Sequence, residues 1–455
     1  MERKNAWSAY AGEAQPVEAF AKAYRAFLDA GKTERECVKV GVEMARATGF
    51  RTLSEATEGG RTLEAGDRIY FNWMNKVLLG YIVGREPMER GMNILGAHID
   101  SPRIDVKQNP LYEDTDLSYL DTHYYGGIKK YQWTTIPMSL HGVIVKGDGT
   151  KVTVNIGDDA GDPQFVVTDL LPHLGAEQNK RSLGQGIKGE ELNLLIGSLP
   201  FNDDEESENV KLNIMSILNE KYGIIEKDFQ TAELEIVPAF AARDIGFDRS
   251  LIGAYGHDDK VCSYPAAMAN FALDVPEYTA VTILTDKEEI GSDGNTGLNS
   301  SYLKFFIMDL AENAGVIGHD VLSKSECLSA DVTAAYDPTF PEPMEKRNAA
   351  FCNKGVCIMK YTGSRGKSGT SDATAEFFGK VRGILDSNNI VWQTGELGKV
   401  DAGGGGTVAM YVANLDVDVI DIGTPVLSMH SPFEVISKLD LYSTYQAALA
   451  FFQAE

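Results

Sequence analysis

Asn93-Ile94-Leu95-Gly96-Ala97-His98-Ile99-Asp100-Ser101-Pro102 reads as an apolar strand that ends in polar residues. A short apolar run closed by polar residues and a proline suits a buried strand whose carboxyl end opens on a site. Upstream, residues 68–73 (RIYFNW) and 77–83 (VLLGYIV) have the β-branched and aromatic content of strands. Before them, Phe20, Ala21, Tyr24, Phe27 and Leu28 recur at helical spacing from Val17, and a second helical stretch runs through Met44 to Gly49, which predicts a helical layer. Downstream, strand-like 278–286 (YTAVTILTD), 357–362 (CIMKYT) and 417–426 (VDVIDIGTPV) alternate with helical patterns at 371–385 and 442–453. This order predicts an α/β fold, a central mixed sheet covered by helices.

A different texture interrupts that pattern. Residues 141–145 (HGVIV) and 151–156 (KVTVNI) flank Gly147-Asp148-Gly149-Thr150, a hairpin signal. A loop-like stretch rich in Gly, Asn, Asp and Glu follows from Gly184 to about Asn209, and 233–240 (ELEIVPAF) reads as a strand leading back to the first texture. The chain therefore divides into 1–107 with 241–455, and a β-rich insert at 108–240.

With 455 residues there is room for two or three domains, and 43% hydrophobic with 24% charged residues is ordinary for a globular protein. No apolar run approaches the ~18 residues of a membrane span, and the opening MERKNAWSAYAGEAQP has no apolar signal core, so a cytoplasmic location is expected. Five cysteines (Cys37, Cys262, Cys327, Cys352, Cys357) are few and odd in number, which fits a reducing compartment. Cys352 and Cys357 have only weak zinc-site spacing and read as ordinary thiols. A formal net charge of −24 argues against nucleic acid or anionic lipid as partners.

Five polar constellations stand out. In His98-Ile99-Asp100 the imidazole suits a metal and the carboxylate two residues on suits an orienting role; the same spacing also suits a turn histidine bonded locally. In Gly256-His257-Asp258-Asp259-Lys260-Val261-Cys262, ahead of a helical pattern, the acids suit a helix cap or, at Asp258, a carboxylate bridging two cations. Thr285-Asp286-Lys287-Glu288-Glu289-Ile290-Gly291-Ser292 follows a strand, where one glutamate can bind metal while the other accepts a proton from water. Asp331 in 331–338 and His430 in Met429-His430-Ser431-Pro432-Phe433-Glu434 complete an inventory of His98, Asp258, Glu289, Asp331 and His430. Two sets of three ligands sharing Asp258 would hold two zinc ions with positions left open.

These motifs, in this order over most of the chain, resemble the aspartyl aminopeptidase and vacuolar aminopeptidase I family, the eighteenth family of metallopeptidases. The resemblance implies a zinc-dependent aminopeptidase acting on peptide substrates, with cobalt or manganese as alternative metals. It places one zinc on His98, Asp258 and Asp331 and a second on Asp258, Glu289 and His430, with Glu288 as general base; Asp100, read from its spacing as the carboxylate that orients His98, joins Glu288 in the expected catalytic set. It further implies that the insert mediates assembly into a large homo-oligomer, commonly a dodecamer. His173 in Leu170-Leu171-Pro172-His173-Leu174 resembles a histidine that reaches a neighbouring subunit's site. Ala334-Ala335 stands where aspartyl aminopeptidases usually carry His-Ala, and Phe433 where many carry Arg, so no preference for acidic residues is implied. The glycine-rich Asp401–Thr407 segment suggests backbone donors along a substrate main chain, with Gly405 and Thr407 as candidates. Two other readings use the same residues: a dimetal N-acyl amino acid deacylase or carboxypeptidase, and a noncatalytic shell protein.

Overall fold

A computed structural model describes residues 5–10, 12, 14–201 and 207–455. Residues 1–4, 11 and 13 of the opening stretch read for a signal core, and 202–206 of the loop stretch, lie outside the described residues.

The amino-terminal layer is two helices, Ala14–Ala30 and Glu34–Ala47. The first buries Val17, Ala21, Tyr24, Phe27 and Leu28, an apolar stripe at three- and four-residue spacing. The second starts at a capping box: Glu36 N–H donates to Thr33 Oγ1 at 3.4 Å, and the Glu36 carboxylate accepts the Thr33 N–H at 3.2 Å.

The chain forms two compact units. One comprises the residues up to Ser101 with Ala242–Met429 and Phe433–Glu455; the other is Pro102–Ala241 with His430–Pro432.

The first unit is built on an eight-stranded mixed sheet. Its order is Arg68–Trp73, Val77–Ile82, Thr279–Thr285, Met92–His98, Glu326–Ala330, Asp418–Gly423, Val356–Met359 and Trp392–Thr394. The four strands from Thr279–Thr285 to Asp418–Gly423 run parallel, with Thr285 opposite His98, so their carboxyl ends emerge on one edge. Every residue of Met92–His98 and Thr279–Thr285 is buried. Near-continuous apolar runs of this kind belong to parallel strands covered on both faces. Successive side chains enter opposite layers: Leu95 belongs to the core cluster that holds Val261 of helix His257–Ala272 and Phe451 of helix Lys438–Phe452, while Ile94 belongs to the one that holds Leu303, Phe306 and Leu310 of helix Tyr302–Ala314. The mixed α/β architecture expected from the sequence is thus observed.

A second sheet in this unit has five short strands in the order Arg243–Ile245, Leu251–Ala254, Glu434–Ser437, Pro425–Leu427 and Thr333–Ala334. Strands of two to four residues leave no alternation to read, so this sheet has no sequence signature. It pairs Ala254 with Glu434, which sets the approach to Asp258.

The other unit is a seven-stranded antiparallel sheet that includes Met138–Val145 paired with Lys151–Ile156 across the expected hairpin. It begins before 108, because Arg103–Asp114 is already one of its strands and pairs with both Leu117–Tyr125 and Ala232–Pro238. The stretch read as a loop contains a strand, Leu194–Gly197, paired with Leu117–Tyr125, and is followed by a helix, Asn209–Tyr222. That helix buries only Val210 fully, so it offers no apolar stripe to find by periodicity.

All five cysteines are free thiols, and four are buried. Among the described residues no helix is long and apolar enough to cross a membrane.

Candidate metal centre

His98 closes its strand and is buried. Its Nδ1 lies 3.0 Å from the Asp100 carbonyl oxygen and 3.3 Å from Asp100 Oδ1, so this nitrogen carries the proton and donates. The lone pair is thereby left on Nε2, which lies 3.2 Å from Asp258 Oδ1, 3.8 Å from Glu288 Oε2 and 3.9 Å from Asp331 Oδ1. That buried nitrogen has no hydrogen-bond partner of its own. A buried imidazole lone pair aimed at carboxylates is costly in a bare protein, and these donors are of the kind that could hold a divalent cation.

Each partner reaches the site by a separate element. Asp331 follows the neighbouring parallel strand, and its N–H donates to the Ile422 carbonyl at 3.1 Å. Asp258 stands in the opening turn of helix His257–Ala272, where Asp258 and Asp259 depart from helical backbone and the peptide bond between them is cis. Asp258 N–H donates to Glu434 Oε2 at 3.0 Å. Its carbonyl accepts from Ser101 Oγ at 2.6 Å, and Lys260 Nζ donates to that hydroxyl at 2.7 Å. Asp259 Oδ2 accepts the His98 N–H at 3.2 Å. Glu434, Ser101, Lys260 and Asp259 are supports that the motifs alone do not reveal, since their partners lie far away in sequence.

Asp100 ties the third motif to the first. One of its oxygens accepts the Glu288 N–H at 3.1 Å and the other the Glu289 N–H at 3.2 Å. The carboxylate therefore fixes the imidazole on one side and the glutamate turn on the other.

The charges are out of balance without a cation. Burial, then the charges of Glu288 and Asp259, raises the Asp331 pKa well above the ordinary carboxylate range. Burial alone would lower the His98 pKa, yet the neighbouring carboxylates of Asp100 and Asp258 carry it well above normal. His98, Asp258 and Asp331 each bring a ligand atom within 4.8 Å of the others, and so do His98, Glu288 and Glu289, so the donor set fits zinc.

The other candidate residues have these immediate surroundings. His430 belongs to the second unit, where its Nδ1 lies 2.8 Å from the Gly127 carbonyl oxygen. His173 is exposed on that unit beside exposed Leu170, Leu171 and Leu174. The Thr407 hydroxyl is engaged within the fold, donating to Asp421 Oδ1 at 2.8 Å and accepting the Ala409 N–H at 3.3 Å. Gly405 accepts the Gly363 N–H at 2.5 Å, while Gly403 and Gly404 line a cavity of about 370 Å³ with Arg365, Lys367, Glu396 and Lys399. His257 is a core histidine: Nδ1 lies 2.9 Å from the Tyr24 hydroxyl, Nε2 3.2 Å from the Ile252 carbonyl, and burial drives its pKa down to about 3.

Residues 27–452 match the family model described as aminopeptidase I zinc metalloprotease (M18). The chain is 50% identical to a probable M18 family aminopeptidase 1 of Clostridium acetobutylicum, over 99% of this chain and 98% of that one. It superposes on the crystal structure of an M18 family aminopeptidase from Thermotoga maritima with a TM-score of 0.95 at 43% identity, covering 100% of this chain and 99% of that one. A more distant likeness, fold alone, is to the S. cerevisiae mApe1 dodecamer, with a TM-score of 0.77 and 18% identity over 96% and 97% of the two chains.

Proposed function

The chain belongs to the aminopeptidase I zinc metalloprotease family (M18) and is a peptidase hydrolase, and from that premise we propose that it removes amino-terminal residues from peptides with a two-zinc centre and Glu288 as general base. The observation that carries this reading is the buried His98 Nε2, partnerless and facing Asp258 and Asp331 with Glu288 at 3.8 Å.

His98, Asp258 and Asp331 would hold one zinc, and Asp258, Glu289 and His430 the other, with cobalt or manganese as substitutes. Zinc bound there supplies Lewis acidity, lowering the pKa of water and polarising the scissile carbonyl. Asp100 keeps His98 in the tautomer that presents Nε2 and holds the backbone of Glu288 and Glu289. Glu288 takes the proton from the attacking water and returns it to the departing amine. A free amino terminus is attracted by the surrounding carboxylates, which favours release of single residues from peptide ends.

Amino-acid anilides with free and with blocked amino groups, assayed with zinc, cobalt or manganese and with chelator, test the reading. Activity confined to free amino groups and lost on chelation supports it; activity confined to blocked substrates would mark a deacylase instead. Glu288→Gln should keep its metal and lose turnover by about 10²- to 10⁴-fold. We also propose a cytoplasmic homo-oligomer, a dodecamer like the yeast fold relative, assembled through the 102–241 unit with His173 reaching a neighbour's site. The mass by light scattering decides the assembly.

A further inference from the structure

The 3-10 turn Glu288–Ile290 is flanked by left-handed backbone: φ is 68° at Lys287, 95° at Gly291, 59° at Ser292 and 94° at Gly294. Lys287 and Ser292 have side chains, and such residues stay in that region only where their surroundings hold them. On one side the Asp100 carboxylate accepts the Glu288 and Glu289 N–H groups. The tip of the 68–82 hairpin adds a tie further along, with Trp73 Nε1 donating to the Asn295 carbonyl at 2.9 Å.

At the end of the glutamate turn, the tie is Tyr411. Its hydroxyl donates to the Gly291 carbonyl at 2.9 Å, and the Gly291 N–H donates in turn to the Glu288 carbonyl at 2.9 Å. The phenol is half-buried, and burial with the nearby charges of Asp293 and Glu288 raises its pKa. Tyr411 is itself anchored. It stands on the short helix Ala409–Ala413, whose first N–H is accepted by the Thr407 hydroxyl, and that hydroxyl donates to Asp421 in the central sheet.

We propose that Tyr411 is a positioning residue for Glu288, a strap from the central sheet through Thr407 and Tyr411 to the peptide unit that closes the glutamate turn. This rests on Glu288 acting as the base. Without the hydroxyl, the Gly291 carbonyl loses its fixed donor and the turn spends less time in the geometry that puts the Glu288 carboxylate within reach of water. Substrate contacts are untouched, so the effect falls on kcat and not on KM.

The test is Tyr411→Phe in the full chain, loaded with zinc and assayed on an anilide that the wild type hydrolyses. Loss of one hydrogen bond should lower kcat by about tenfold, with KM within about twofold and with metal content and Tm unchanged. A double-mutant cycle with Glu288→Gln separates positioning from general support: once the base is gone, Tyr411→Phe should cost nothing further. An unchanged kcat in Tyr411→Phe overturns the proposal. So does a loss that comes with lowered Tm or metal content, or one that repeats in full in the Glu288→Gln background. Wild-type turnover in Glu288→Gln alone would instead remove the base assignment and the strap's purpose with it, a result distinct from an inert Tyr411→Phe.

Discussion

Replacing Asp100 with asparagine probes the joint between the imidazole and the glutamate turn without changing side-chain size. In the wild type each carboxylate oxygen accepts a backbone N–H, at 3.1 and 3.2 Å, and Oδ1 also faces His98 Nδ1 at 3.3 Å. Asparagine keeps one acceptor and puts an amide NH₂ where the second stood. That group meets another donor whichever way it is turned, so at least one charge-assisted bond is lost. Such bonds contribute about 1.5–3 kcal/mol each, which corresponds to roughly 10- to 100-fold, the range typical of residues that orient metal ligands. Because the residue serves both the ligand and the base, metal affinity and kcat should both fall. Competition against a chromophoric chelator gives the first, steady-state kinetics of the fully loaded enzyme the second, and far-UV circular dichroism confirms the fold. Asp100→Asn with affinity and kcat both within about twofold of wild type would refute the role assigned to this carboxylate.

Two further outcomes follow from particular contacts. A Cβ at Gly423 would lie 1.7 Å from the Asp331 carbonyl oxygen, so Gly423→Ala must displace Asp331; metal affinity should drop more than about tenfold and stability by about 1–3 kcal/mol, and a variant that titrates with metal like the wild type would contradict the packing. Asp421 is buried beneath the Thr407 hydroxyl, and burial raises its pKa to about 7 against about 3.9 in an unfolded chain. The native state therefore binds the extra proton, and this group's contribution to stability is complete below about pH 4 and lost as pH rises through about 7. Between pH 5 and 8 the wild type should lose about 2 to 3 kcal/mol that Asp421→Asn does not lose, read from urea unfolding, and parallel curves would exclude it.

Where a segment makes its own contacts, the sequence is legible. The stripe Val17, Ala21, Tyr24, Phe27 and Leu28 becomes one buried helical face, and the apolar runs ending at His98 and Thr285 become adjacent parallel strands. The five-stranded sheet is not legible, because its strands are too short to carry a period. Nor is helix Asn209–Tyr222, which turns little apolar surface inward. The site divides the same way. His98-Ile99-Asp100 is a local arrangement, visible as a spacing. The bonds from Asp258 N–H to Glu434 and from Tyr411 to Gly291 join residues far apart in the chain, and only the folded topology brings them together.

The order of strands in the large sheet also bears on how the polypeptide is made. Met92–His98 leaves the ribosome early, but its partners on either side are Thr279–Thr285 and Glu326–Ala330, and the next strand out is Asp418–Gly423. The sheet of 102–241, by contrast, finds all its strands within one uninterrupted stretch. During synthesis the inserted unit has everything it requires while the central strand still waits, its apolar faces uncovered, for the remainder of the chain. A nascent chain stalled before residue 279 would thus expose the run 92–98 as a target for chaperones, and only near the end of translation does the nascent chain gain the means to hide it.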